Sequence, residues 1–280
     1  MKTRIVRRRS TNARTIGIVA FLCLVSAFFI LPFVWTLTTS FRTQGDLNAN
    51  PLSLMPRNLT FENYFSVWQK IPFGRQLLNS IFFAGSVTLL SVIIDSMAGY
   101  AFARYDFPGK NVLFVMVLIT LMVPLQVTFI PLYSFLVQLG WVNTYQGLIV
   151  PRIADAFGIF FLRQFFFAMP KDLEDAARID GAGELRIFAR IMLPLAGPAV
   201  LTIALFNLIA NWNDLLWPLM VTTTSTMQTL PAGLALFRGQ HVSDFGVLMA
   251  GSTLALLPMI VAFFLVQRRF IEGIATSGMK

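Results

Sequence analysis

Glu174-Asp-Ala-Ala-Arg-Ile-Asp-Gly-Ala-Gly-Glu-Leu-Arg-Ile-Phe-Ala-Arg-Ile-Met-Leu-Pro194 is a polar stretch, punctuated by Gly181 and Gly183 and set between long apolar segments. An ordinary linker has no use for such ordered spacing. Asp172 reads as the N-cap of a helix starting at Leu173, with Asp175 at the third helical position in a near capping-box arrangement. Leu173, Ala176, Ala177 and Asp180 fall at i, i+3, i+4 and i+7 and so share one face, where the small alanines let another backbone approach closely. Glu174 and Arg178 form an i, i+4 pair, and Gly181 supplies the left-handed stop. Gly183 opens a second helical piece reaching Arg190, whose apolar positions Leu185, Phe188, Ala189 and Met192 are expected to pack back onto the apolar segments. Pro194 and Pro198 mark the start of the next long helix. The stretch reads as a short docking helix wired rigidly to the segments on either side.

Those flanking segments decide the protein class. A chain of 280 residues that is 56% hydrophobic, 12% charged and rich in Phe is too apolar for a soluble domain built around one core. Crossing a hydrocarbon layer of about 30 Å takes roughly 20 apolar residues, and such runs occur near 16–40, 76–103, 111–133, 145–166, 196–221 and 244–267. The expectation is six spans. The first run is longer than a signal-peptide core, so it reads as a retained helix despite Arg7, Arg8 and Arg9 before it; a twin-arginine export signal is the alternative. The formal charge of +9 raises a nucleic-acid reading, but an inside N-terminus puts the whole excess on one side. Lys2, Arg4, Arg104, Lys110, Lys171, Arg186, Arg190 and Arg268 are among the cations that fall there, while charges on the other side cancel. The positive-inside bias accounts for the balance without nucleic acid, and both termini then lie in the cytoplasm. This divides the chain into a basic N-terminus (1–15), a membrane domain (16–268) carrying a cytoplasmic insert (167–195), and a tail (269–280).

Residues 42–75 form the longest external loop, and the run Thr60 to Trp68 has the spacing of a short helix at the membrane surface. Arg104 to Lys110 is a turn rich in helix breakers. Pro124 and Pro131 interrupt the third span around Gln126, and the backbone groups they free need protein or water nearby, so this helix is expected to line an internal surface, either as a structural kink alone or in contact with solute. Asn207, Asn211 and Asp214 follow at i, i+4 and i+7 in the fifth span, a polar stripe able to serve hydroxyl-rich solutes or to bond helices together. Asp95 has no cation one or two turns away on its own span: it is protonated, paired across helices, or part of a cavity. Arg152 and Asp155 read as an i, i+3 ion pair, Cys23 as an inert core thiol, and His241, the sole histidine, as having no metal role. The external segment Thr222 to Ser243 is a solvated connector or a contact loop.

Asp175-Ala176-Ala177, three residues, Gly181, nine residues and Ile191-Met-Leu193-Pro194 reproduce the spacing of a known signature: E-A-A, three residues, G, nine residues, I-x-L-P. The sequence thus resembles the inner-membrane permease subunits of binding-protein-dependent ABC importers, with Asp175 where the signature has Glu and Glu174 keeping the acidic character. Arg104 to Lys110 looks like the R-x-x-F-P-G-[KR] turn, and Asn211 to Pro218 looks like the W-N-[DE] stretch. Gln267-Arg268 onward is similar to the Q-R-x-F-x-x-G tail of the carbohydrate-uptake branch, although it ends Gly273-Ile-Ala-Thr-Ser-Gly-Met-Lys280 rather than G-A-V-K-G. Within that branch the smaller permease of the maltose-type importer is similar to this chain.

The resemblance implies an all-α, six-helix type I ABC importer permease fold in a bacterial or archaeal plasma (inner) membrane, surrounded by membrane lipid. A second permease, two cytoplasmic ATPase subunits and an extracytoplasmic solute-binding protein are the implied partners. It also places the segment 222–243 where relatives reach into the binding protein. Glu174, Asp175, Ala176, Ala177, Asp180, Gly181, Ile191, Leu193 and Pro194 are the implied ATPase-coupling residues. Gln126, Asp95, Asn207, Asn211 and Asp214 are candidates for the pathway of a sugar, oligosaccharide, polyol or glycerol-phosphate derivative. No Gly-x-x-x-x-Gly-Lys-[Ser/Thr] occurs, since Gly109-Lys110 lacks the earlier glycine and the hydroxyl residue, so ATP and Mg belong to the partner ATPase and this chain is expected to carry no cofactor. The alternative is an ion-coupled secondary transporter, which predicts related halves and mid-membrane coupling carboxylates.

Overall fold

A computed structural model describes residues 13–235, 237 and 244–277, and its regular elements are helices apart from one isolated bridge between Arg42 and Leu59. In chain order they are α1 (Ala13–Ser40), α2 (Gln44–Ala49), α3 (Glu62–Lys70), α4 (Phe73–Arg104), α5 (Lys110–Thr120), α6 (Leu125–Gln138) and α7 (Tyr145–Ile149). After a 3-10 turn at Val150–Arg152 come α8 (Ala156–Ala168), α9 (Asp172–Ile179) and α10 (Glu184–Ile187). A π-helical turn at Phe188–Met192 leads through α11 (Leu193–Leu195) into α12 (Gly197–Trp212), followed by α13 (Leu216–Val221), α14 (Leu230–Ala235) and α15 (Phe245–Ser277).

Thr15–Ser40, Phe73–Arg104, Tyr145–Ala168 and Phe245–Leu265 are each long and apolar enough to cross a membrane. Two further spans arise if each bent pair counts as one: Lys110–Thr120 with Leu125–Gln138, bent by 101°, and Glu184–Leu195 with Gly197–Trp212, bent by 78°. Proline explains the first break. Pro124 is the residue before α6 and has no N–H to continue the ladder, whereas Pro131 is tolerated inside α6. The second bend falls where Ala196 separates α11 from α12, with Pro198 in the first turn of the new helix.

The chain forms two compact units. One takes in the described residues up to Val67 together with Asp244–Thr253. Its organising side chain is Arg42, which is fully buried and spends its guanidinium on four acceptors: the Asp46 carboxylate at 2.8 Å and the carbonyls of Asp46, Asn50 and Ser53. The segment expected as a loop is therefore ordered, with α2 inside it. Asn63 of α3 donates to the carbonyls of Ser40 and Arg42, both at 2.8 Å. The expected surface helix is present as α3.

The second unit, Trp68–Ser243 with the chain from Leu254 on, is built around α4, a helix of 32 residues and so about 48 Å long. Lipid tails give apolar helices little reason to associate, so close approach rests on small residues and matched polar groups. Gly99 of α4 lies against the backbone of Ile159 and Arg163, at distances a side chain would not permit. Gly158 of α8 lies equally close to Asp95. One buried cluster toward the C-terminal end of α4 joins Tyr100 and Ala103 to Leu162 and Phe166 of α8 and to Ala199 and Ile203 of α12. Toward its N-terminal end a separate cluster joins Phe83 and Val87 to Leu136, Leu148, Trp217 and Val221.

Candidate functional site

The insert enters the first of these clusters: Ala177, Ile187, Phe188 and Met192 are all buried there. Helix α9 begins at Asp172, preceded by Lys171 with no side-chain cap, so Asp172 lies inside the helix rather than capping it. Asp172, Glu174 and Asp175 fill the first turn, where carboxylates suit the positive end of the helix dipole. Gly181 has φ +80 and ends the helix as expected, and Ala182 donates to the carbonyl of Ala177 at 2.9 Å.

The expected face of α9 does not act as one surface. Ala177 is turned into the core with Glu174, three residues before it, while Leu173, Ala176, Asp180 and, most of all, Ile179 stay exposed. The second arm departs similarly. Leu185 and Ala189 are exposed instead of packed, and Ile187 takes the inward place because i→i+5 winding through Phe188–Met192 adds one residue to the turn. Phe188 and Met192 are buried as expected; Ile191 and Leu193 are half-buried and Pro194 is exposed. A concave surface lined by Gly181, Gly183, Leu185 and Arg190 lies along the turn and the second arm.

A charge network binds these arms. Glu174, with a side chain 3% exposed, meets the equally buried Arg104 at the end of α4 at 2.7 Å. Arg104 also donates to the carbonyl of Met169, at the end of α8, at 2.7 Å. On the open side Arg178 contacts Glu174 at 3.7 Å, Asp175 at 2.9 Å and Glu184 at 2.8 Å. The Tyr105 hydroxyl, next to Arg104, donates to Glu184 at 2.9 Å and closes the circuit. Hydrogen bonding from Arg178, then from Tyr105, holds the Glu184 carboxyl below its ordinary range, and the Arg178 guanidinium is raised chiefly by Glu184. Partial burial, and then the bond to Glu184, pushes the Tyr105 phenol up. The Glu174–Arg178 pair was legible from spacing; Arg104 and Tyr105 as its partners were not.

The polar stripe is brought together only in part. Helix α12 ends at Trp212, so Asp214 lies beyond it, off the helical face shared by Asn207 and Asn211. Asp214 instead pairs with Arg152 at 2.9 Å, and Arg152 reaches the Asn211 amide oxygen at 3.4 Å. The expected Arg152–Asp155 pair is therefore replaced: Asp155 caps α8, accepting from the N–H groups of Phe157 and Gly158. Asp95 presents no open surface, which narrows its expected roles. It accepts from the Ser91 hydroxyl at 2.6 Å and from the Asp155 N–H at 2.9 Å, tying α4 to the start of α8. Gln126 is exposed in the first turn of α6.

Cys23 is exposed on α1 rather than buried in a core. The base of the segment after Val221 is tied down. Asn143, itself at φ 60, accepts from the N–H groups of Thr223 and Thr224, and Asn79 donates to the carbonyls of Thr226 and Gln228. His241, the basic residues 1–12 and the last three residues lie outside the described residues, as do the side chains from 268 onward.

Comparison with known proteins agrees with this architecture. The family described as the binding-protein-dependent transport system inner membrane component matches residues 95–275. The chain is 38% identical over 269 residues to the arabinooligosaccharides transport system permease protein AraQ of Halalkalibacterium halodurans, covering 95% of each chain. It is 35% identical over 263 residues to the trehalose/maltose transport system permease protein MalG of Thermococcus litoralis, covering 92% of this chain and 94% of that one. The sn-glycerol-3-phosphate transport system permease protein UgpE of Escherichia coli O1:K1 is 32% identical over 259 residues, covering 90% and 92%. In fold, the chain superposes with TM-score 0.79 and 23% identity on a chain of the crystal structure of a bacterial ABC transporter involved in the import of the acidic polysaccharide alginate, covering 93% and 98%. A multi-pass helical chain whose polar insert is built into its core, matched over nearly its whole length by such relatives, belongs to the inner-membrane components of binding-protein-dependent transport systems.

Proposed function

We propose that this chain is one of two permease subunits of an ATP-driven importer for sugars, with six spans, both termini in the cytoplasm and the insert 167–195 as the surface that receives the ATPase. An extracytoplasmic binding protein delivers the solute, and the segment 222–243 is offered to that protein. The observation that carries the reading is the insert's construction. Its inward side is anchored by Ala177, Ile187, Phe188 and Met192, while Ala176, Ile179, Asp180 and Leu185 remain uncovered on a rigid base. A surface pressed by another protein has to pass force onward, and this one is continuous with the packing of α4, α8 and α12.

For the solute, Asn207 and the exposed Gln126 offer amides, Asn211 is buried with its amide spent on the Asn207 carbonyl and Arg152, and Arg152 neutralises Asp214. Neutral amides that both donate and accept suit a polyhydroxyl solute better than a phosphate, which calls for an unpaired cation. The relatives' names span arabino-oligosaccharides, trehalose or maltose, and glycerol phosphate. The test is isolation of the tagged chain from its native membrane with identification of co-purifying subunits, followed by uptake of labelled neutral oligosaccharides and of glycerol 3-phosphate. Recovery of a nucleotide-hydrolysing subunit that is lost when Ala176 and Ile179 are both changed to Arg supports the docking surface. Uptake of the phosphate ester alone would overturn the neutral-solute reading.

A further inference from the structure

Packing alone leaves α9 free to slide. Ala177 is the single apolar residue that α9 sends into the core, and an apolar contact is non-directional. We propose that Arg104 is a positioning residue that, through Glu174 and the carbonyl of Met169, locks α9 to the end of α4 so that the insert and the long helix move as one body. The inference rests on the docking role proposed for the insert.

Arg104 belongs to the last turn of α4, Met169 ends α8, and Glu174 lies in the first turn of α9, so one guanidinium joins three elements. Its Nε stands 2.7 Å from Glu174 Oε1, with both side chains almost without exposure, and the same two atoms have no in-line hydrogen-bond partner. The contact is thus a charge pair held by close approach rather than an aligned hydrogen bond. A buried pair of this kind adds little net stability over an apolar pair of the same volume, because desolvating both charges offsets their attraction. What it does specify is register: moving α9 along α4 would separate two charges in a poorly screened interior. The second guanidinium arm, spent on Met169, holds the chain just before α9.

The circuit also explains how both arms of the insert are included. Glu174 passes the constraint to Arg178, Arg178 to Glu184 on α10, and Glu184 back to Tyr105 beside Arg104. The buried link is rigid and the solvent-facing links are compliant, so a push on the exposed side of α9 reaches α4 through Arg104 first.

The test uses the intact importer in lipid nanodiscs, in a Cys23→Ala background with spin labels on Asp106→Cys, in the turn after α4, and Asp172→Cys at the start of α9; both positions are exposed and neither belongs to the proposed docking surface. Mg-ATP with vanadate traps the ATPase closed. With Arg104 and Glu174 present, the distance between the labels stays narrow and unchanged on trapping. The paired variant Arg104→Met with Glu174→Met removes both charges without stranding either one and is expected to fold and assemble. In it the trapped distance distribution broadens or shifts, and ATP hydrolysed per solute transported rises at least tenfold. Arg104→Lys keeps the charge and restores most of the coupling. A paired variant whose distance and coupling ratio match the parent overturns the proposal. If Ala176→Arg with Ile179→Arg leaves the ATPase subunits bound, the docking reading itself has failed, a result distinguishable from failure of the Arg104 assignment.

Discussion

Arg42 and Arg104 have the same side chain and almost no exposed surface, yet they do different work. The four acceptors of Arg42 are supplied by Asp46, Asn50 and Ser53, no more than 11 residues ahead. Arg104 reaches a carbonyl 65 residues away and a carboxylate on yet another helix. A local cage turns a polar stretch into a fixed shape and concerns nothing outside it. A long-range pair fixes how separate elements sit against each other, and its loss is felt as a loss of coordination.

Breaking one half of the long-range pair gives the largest expected effect. Glu174→Gln leaves the Arg104 charge buried without its partner, a loss of about 3–5 kcal/mol, and hydrogen exchange of the α9 amides rises by roughly two to four orders of magnitude. Unchanged α9 exchange would place the pair in solvent. Arg42→Met comes next: the part-buried Ser53 carbonyl loses its donor and that of Asn50 keeps only the Ser53 N–H, a loss of about 1–3 kcal/mol in all. Limited proteolysis should then cut between Asn50 and Leu59 while α9 exchange stays as before. If the two variants disturb the same amides, the contrast between local and long-range arginines does not hold.

Gly181→Leu sharpens the comparison from the backbone side. Its φ of +80 costs a side chain about 1–2 kcal/mol, so the last turn of α9 frays while its first turn, held by Glu174, keeps its protection. Arg178→Gln gives the smallest effect, because its contacts are solvent-facing and salt-screened. A difference in α9 exchange visible at low ionic strength should vanish at about 0.5 M salt, where the Debye length is only a few ångströms. Acidity separates the links too. Glu184 is held below its ordinary value of 4.5, so the stabilisation it gives is present above that value and lost only as the pH falls through its lowered one. Between about pH 6 and pH 8 this link is not expected to titrate, and a pH-dependent exchange of α10 in that window would contradict the assignment.

Much of this was readable from residue order. Long apolar runs coincide with four helices long enough to cross a membrane and with the two bent pairs, Pro124 gave the break between α5 and α6, and Gly181 the end of α9, the last two because each acts within one helical turn. What escaped was whatever depends on contacts between distant segments. Spacing pairs Arg152 with Asp155, but Asp155 finds backbone N–H groups at the start of α8 and Arg152 finds Asp214 across the fold. Spacing alone extends the helical stripe to Asp214, because nothing nearby in sequence marks Trp212 as the last helical residue. The stretch after Arg42 looked loose because its order is set by one arginine that caps carbonyls, which apolar periodicity does not reveal. Within the insert, the acidic and small residues were found, but which of them face inward was not.

The π-turn at Phe188–Met192 has a consequence for how this stretch can evolve. Because each residue turns a helix by about 100°, the extra residue in that turn decides which edge of α10 looks outward, independent of what side chains the edge carries. Substitutions at the exposed Leu185 and Arg186 can therefore be absorbed one at a time, whereas deleting a single residue between Phe188 and Met192, with the winding of the turn kept, would advance α10 by about 100° and bring Arg186 to the place that Ile187 now holds. Length, more than composition, is the conserved quantity to expect there.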